Sequence, residues 1–127
     1  MLTYRKGSRA ERELIEYFST REFCVIRAAG SGVNSLSPDI LVFRRGVQLG
    51  IEAKAWEKDN LNITREQFTN LKRWEEISGI NCYVGWRRSR EPWIFIPLSV
   101  FKENEKSFAI NWTDASSIGR KIEEVSV

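Results

Sequence analysis

Apolar and polar positions change rhythm several times along the chain, and each change marks a predicted element. Ala10, Leu14, Tyr17, Phe18 and Arg21 fall at helical spacing, and Ser8 with Glu11 three positions later forms a capping box, so a helix is predicted to open at Ser8. Residues 23–27, Phe-Cys-Val-Ile-Arg, read as a strand that stops at Ala28-Ala29-Gly30, and residues 30–37 are a loop of small side chains. Two runs rich in branched and aromatic residues follow, 39–43 and 47–55, with Arg44-Arg45-Gly46 as a turn between them; the pair should be antiparallel. After a polar segment, 56–62, Thr64 and Gln67 make a second capping box, Phe68, Leu71, Trp74 and Ile77 form an apolar stripe, and Gly79 ends the helix. Residues 81–86 and 93–97 are a last pair of strands around a basic turn. The passage from residue 52 through the second helix to residue 83 is then a right-handed parallel crossover, and the fold class is α/β: a mixed central β-sheet flanked by α-helices. Beyond residue 100 the periodicity is poor, so the acidic 123–124 end is expected to be peripheral.

The chemistry concentrates between residues 38 and 54. Pro38-Asp39 opens one strand, and Glu52-Ala53-Lys54 lies in the next, thirteen positions on from Asp39. Alternation along a strand puts Glu52 and Lys54 on the same side, with Ala53 on the other. A carboxylate from each strand suits a hard cation such as magnesium, which takes one or two carboxylates plus waters and phosphate oxygens; Lys54 would stand beside the attacking water. Each piece alone has a plainer explanation. A single Asp at a strand start is usually a turn cap, and Glu-x-Lys on a strand is usually a solvated face. Their order and spacing together favour a nuclease site. Glu11 stays open between helix cap and third carboxylate. Gln67 is a candidate for the metal's outer shell, and Ser31 is placed to touch a phosphate.

Composition narrows the field. At 127 residues and 42% hydrophobic the chain is expected to form one domain over residues 1–127. The net charge is only +3, so any attraction for an anionic partner must come from where the 20 Lys and Arg cluster: residues 5–12, 44–45, 72–73 and 87–90. No histidine is present, which excludes histidine-based nucleases, triads and the commonest zinc sites. Cys24 and Cys82 sit in apolar runs and are expected to be buried free thiols in a reducing compartment. With no signal core and no run approaching a membrane span, a cytoplasmic protein without membrane contact or organic cofactor is expected.

The segments Tyr4-Arg5-Lys6-Gly7-Ser8-x-Ala10-Glu11-Arg12-Glu13-Leu14, Arg27-Ala28-Ala29-Gly30-Ser31, Pro38-Asp39-Ile40 and Ile51-Glu52-Ala53-Lys54 resemble, in register, the archaeal Holliday junction resolvases of the PD-(D/E)xK endonuclease superfamily. The resemblance implies a restriction-endonuclease-like core and cleavage of four-way junction DNA with Mg2+, Mn2+ being the alternative ion, by a homodimer that nicks two strands symmetrically. It implies Glu11, Asp39 and Glu52 as metal ligands, Lys54 as catalytic lysine, Ser31 as a catalytic loop residue, and Lys6, Arg12 and Arg27 as DNA-binding residues. The aromatic excess, Trp74 with Phe68 and Trp86 with Trp93, is expected to build part of the dimer interface. The alternatives are a PD-(D/E)xK nuclease of restriction or mismatch type, which would cut linear duplex, and a non-catalytic module that binds branched DNA.

Overall fold

The computed structural model describes residues 2–28 and 37–127, with side chains from Gly7 onward, so Ser31 and the side chain of Lys6 lie outside the described residues. In chain order the elements are α1 (Leu2–Ser19), β1 (Cys24–Arg27), β2 (Ile40–Arg44), β3 (Val47–Ala55), β4 (Asn60–Thr64), α2 (Arg65–Ser78), β5 (Asn81–Arg87), β6 (Ile94–Pro97), a 3₁₀ turn (Leu98–Val100), β7 (Lys102–Glu103), β8 (Ser107–Asn111), α3 (Trp112–Ile118) and α4 (Ile122–Val125). Five strands form one sheet in the order β1-β2-β3-β5-β6, and three more form a second sheet, β4-β8-β7.

The predicted hairpin is present. β2 and β3 pair antiparallel, and Gly46 takes φ 81° in the turn, a conformation that a side chain would strain. The crossover is also present: β3 and β5 run parallel, Glu52 opposite Val84 and Lys54 opposite Trp86, and β5 then turns back antiparallel into β6. Thr64 caps α2 by accepting from the Gln67 backbone N–H, and Gly79 ends it at φ 72°.

The interior strand β5 shows how the sheet divides the molecule. Tyr83 joins a core made with α1, namely Ala10, Leu14 and Phe18 against Ile40, Val42, Leu49 and Ile51. Its neighbours Cys82, Val84 and Trp86 alternate to the opposite side and join a second core with Phe68 and Leu71 of α2, Leu61 and Ile63 of β4, and Ile110 of β8. Burying each such large side chain favours folding by about 1.5–3 kcal/mol.

Five expectations are corrected. The first helix begins at Leu2, and Ser8 lies inside it. No proline stops the helix upstream, and Gly7 costs an interior position only about 1 kcal/mol, so Glu11 is no capping residue. The polar segment after residue 56 contains a strand, β4, and the region beyond residue 100 is structural: Phe101, Ile110, Ala115 and Val125 are all buried. Weak periodicity hid these elements because each is short and only half faces the core. Cys24 is exposed while Cys82 is buried, because β1 is an edge strand whose outward row is not covered; both thiols are free. Finally, Phe68, Trp86 and Trp93 are packed inside, which removes them from any interface; of the four aromatics only Trp74 is left half-buried.

Candidate active site

Asp39 stands one residue ahead of β2, where the chain leaves Pro38 to enter the sheet. Its backbone is held on both sides: its carbonyl accepts from the Ala28 N–H (2.8 Å), and its own N–H donates to Glu52 Oε1 (3.2 Å). Its carboxylate Oδ2 accepts from the Ala53 N–H at 3.1 Å. The two acidic residues are therefore cross-linked through the backbone, each carboxylate bonded to the other's strand.

Glu52 is only 5% exposed. Its Oε2 accepts from Gln67 Nε2 at 2.6 Å and lies 3.7 Å from Lys54 Nζ, while Gln67 Oε1 accepts from the same Lys54 Nζ at 3.1 Å. One amide thus bridges carboxylate and ammonium. Because Gln67 is the third residue of α2, the cap at Thr64 fixes both the start of the helix and the reach of this side chain. The second capping box is accordingly half-formed: the Thr64 side chain does its part, and the Gln67 side chain serves the site instead.

Burial raises the pKa of Asp39, with the charge of Glu11 as the next cause. Burial likewise lifts Glu52 up to about 7, reinforced by Asp39 and opposed by Lys54. Among the described residues no three acidic or thiol side chains stand grouped at ligand spacing. Asp39 and Glu52 form a pair, and Glu11 acts on them by its charge from α1. Arg27 Nε donates to Glu11 Oε1 at 2.8 Å, tying the end of β1 to the helix. Arg12 is exposed on the same helix, next to Glu11. With the Glu11–Arg27 pair neutral, two carboxyl groups face one ammonium, so ionising both leaves the pocket one positive charge short. An all-oxygen donor set with a net negative charge fits a hard divalent cation.

One network has no forerunner in the sequence reading. Glu13 Oε1 accepts from Arg87 Nε at 3.0 Å and from the indole N–H of Trp93 at 2.8 Å, so α1 is fastened to β5 and to the residue before β6. Beside it, Arg9, Ala10, Ala55, Arg87 and Ser89 line an open hollow of about 120 Å³ past the end of β3. No local signal joins residues so far apart in the chain.

A mixed sheet with helices on both faces, bearing an acidic pair and a lysine on adjacent strands, defines a restriction-endonuclease-like nuclease core. The family model described as archaeal Holliday junction resolvase (Hjc) matches residues 2–126. The chain is 31% identical over 122 residues to the crossover junction endodeoxyribonuclease Hjc of Archaeoglobus fulgidus, covering 95% of this chain and 89% of that protein. It is 35% identical over 109 residues to the Hjc of Methanocaldococcus jannaschii, covering 85% of this chain and 77% of that protein. The solved structure of Archaeoglobus fulgidus Hjc, a Holliday junction resolvase, superposes with a TM-score of 0.85 at 30% identity, over 95% of this chain and 100% of that one. The chain belongs to the archaeal Holliday junction resolvase (Hjc) family.

Proposed function

We propose that this protein, acting as one domain over residues 1–127, is a magnesium-dependent endodeoxyribonuclease that resolves four-way DNA junctions by paired nicks. The observation that carries the reading is the Asp39–Glu52 pair with Gln67 spanning Glu52 and Lys54. Asp39 and Glu52 would hold the metal, and Glu11 would join them once released from Arg27; manganese suits the same oxygen donors. The bound cation supplies a Lewis acid for the phosphoryl oxygen and lowers the pKa of the attacking water. Lys54, steadied by Gln67, orients that water and offsets charge gathering on the phosphate in the transition state. Arg12, Arg27 and Lys6 are assigned to the DNA backbone, where contacts set position rather than read sequence, and Ser31 to the scissile phosphate as a catalytic loop residue.

Symmetric nicking calls for two copies, and a candidate interface exists. Ile26 pairs with Leu41 and Leu41 with Gly50, so the three share one side of the sheet, where Trp74 of α2 packs on Gly50. Ile26 is 53% exposed and Ile77, one turn beyond Trp74, is 64% exposed. These exposed apolar side chains on β1 and α2 support a homodimer through the two elements, in place of the buried tryptophans.

No helix among the described residues is long and apolar enough to cross a membrane. We assign the protein to the cytoplasm, with its DNA substrate and no organic cofactor. The deciding assay incubates the protein with a labelled four-way junction, with and without magnesium, against the same arms as plain duplex. Paired symmetric nicks on the junction alone are expected. Equal cutting of duplex would indicate a restriction-type enzyme, and tight binding with no product a non-catalytic module.

A further inference from the structure

Gly50 lies in the middle of β3, on the side that carries Glu52 and Lys54, and its missing side chain is occupied space. A Cβ built on it would stand 2.7 Å from Pro38 Cγ and 2.8 Å from both Cζ3 and Cη2 of the Trp74 indole. Neither neighbour can yield cheaply. Pro38 is a buried ring whose φ is fixed, and Trp74 is a rigid bicycle anchored on α2. Three separate elements, β3, α2 and the segment entering β2, therefore meet at a seat that only glycine leaves open.

The residue after Pro38 is Asp39, and the residue two along from Gly50 is Glu52. The seat is thus one residue from one end of the 3.2 Å contact between Asp39 N–H and Glu52 Oε1 and two residues from the other. Backbone bonds orient Asp39 and hold its register, and the Pro38 ring, lodged on Gly50 beside the Trp74 indole, sets how close the incoming chain lies to β3. We propose that Pro38, Gly50 and Trp74 form a positioning device that sets the separation of the Asp39 and Glu52 carboxylates, so that these three residues govern the rate of cleavage without touching substrate. This rests on the nuclease reading above.

Single-turnover cleavage of a labelled junction at saturating protein, beside junction binding and thermal melting, tests it. Gly50→Ala should bind the junction within about threefold of wild type yet cleave at least about 30-fold more slowly, as expected when reacting groups are displaced by a fraction of an ångström to an ångström. The double variant Gly50→Ala/Trp74→Leu, in which the shorter side chain vacates the Cβ position, should regain about tenfold or more of that rate. A merely structural contact would lower the melting temperature and leave the rate of folded protein unchanged. Pro38→Ala, which keeps Gly50 and Trp74, should slow cleavage by about tenfold with binding retained. A wild-type rate in folded Gly50→Ala or in Pro38→Ala overturns the proposal, as does a double variant no faster than Gly50→Ala; if Gly50→Ala does not fold, Pro38→Ala decides. Wild-type protein inert on junction and duplex alike would refute the nuclease reading instead. The Asp39–Glu52 separation in crystals of Pro38→Ala then decides the positioning role, an unchanged contact counting against it.

Discussion

The two sides of the five-stranded sheet are built to different ends. The side under α1 is a continuous apolar contact from Val42 and Ile40 through Leu49 and Ile51 to Tyr83 and Phe95. The side under α2 is divided into three: an aromatic-rich core over β5 and β6, a polar patch at Glu52 and Lys54, and two exposed isoleucines, Ile26 on β1 and Ile77 on α2. The first side is an apolar core with polar ties at Glu11 and Glu13, whereas the second packs, holds a buried carboxyl group and leaves isoleucines exposed. A buried carboxylate survives there because Gln67 and the Asp39 N–H satisfy its oxygens, and no buried side-chain polar atom among the described residues lacks a partner.

The contrast can be broken at several points. The largest effect on folding is expected from Trp86→Ala. The Trp86 side chain is fully buried, donates to the Trp56 carbonyl at 2.7 Å and meets the Trp112 ring edge-on at 4.9 Å, so its loss should cost about 3–5 kcal/mol in chemical denaturation. A loss below about 1 kcal/mol would mean that the second core carries little of the fold.

The polar patch should show itself in pH dependence. Glu52 has its folded pKa raised from 4.5 to about 7, so its contribution to stability is fully present below pH 4.5 and is lost as pH rises through 7. In metal-free protein this amounts to up to about 3 kcal/mol, at 1.36 kcal/mol per unit. Glu52→Gln should remove that slope, and above pH 7 the variant should melt higher than wild type while losing nicking by about a thousandfold with binding kept. Parallel stability curves for the two proteins between pH 4 and 9 would contradict the assignment of a buried carboxyl group to this side.

Gln67→Ala is expected to be milder. It leaves Glu52 and Lys54 in place but frees both, so cleavage should fall by about 10–100-fold, with Gln67→Glu failing to rescue because a carboxylate cannot donate to Glu52. The smallest effect on the fold should come from Ile77→Asp. Unfolding free energy of the protomer should move by less than about 0.5 kcal/mol, while light scattering after gel filtration shifts from dimer to monomer. An unchanged dimer would shift the search for the interface away from these isoleucines.

Much of this arrangement was legible along the chain. The hairpin, the parallel passage through α2, the ends of that helix and the Pro38-Asp39 and Glu52-x-Lys54 motifs all follow from local spacing. β4 and the elements beyond residue 100 did not, because each is short and acquires its apolar side only from partners far away in sequence. Glu11 was ambiguous for a related reason: a capping motif reports what a side chain can do locally, and the choice of Arg27 as partner depends on where β1 lies.

The sequence by itself determined which residue types gather at the proposed site: two carboxylates and a lysine at strand spacing, with no histidine to do the work otherwise. Alternation of side chains is a property of the backbone, so the shared side of Glu52 and Lys54 needed no tertiary information. Only the tertiary structure decided that Gln67 spans that pair, that Glu52 is buried enough to hold its proton near neutrality, and that a glycine makes room for Pro38 beside Trp74. Burial and close approach are sums over every neighbour in space, and no stretch of chain carries them alone.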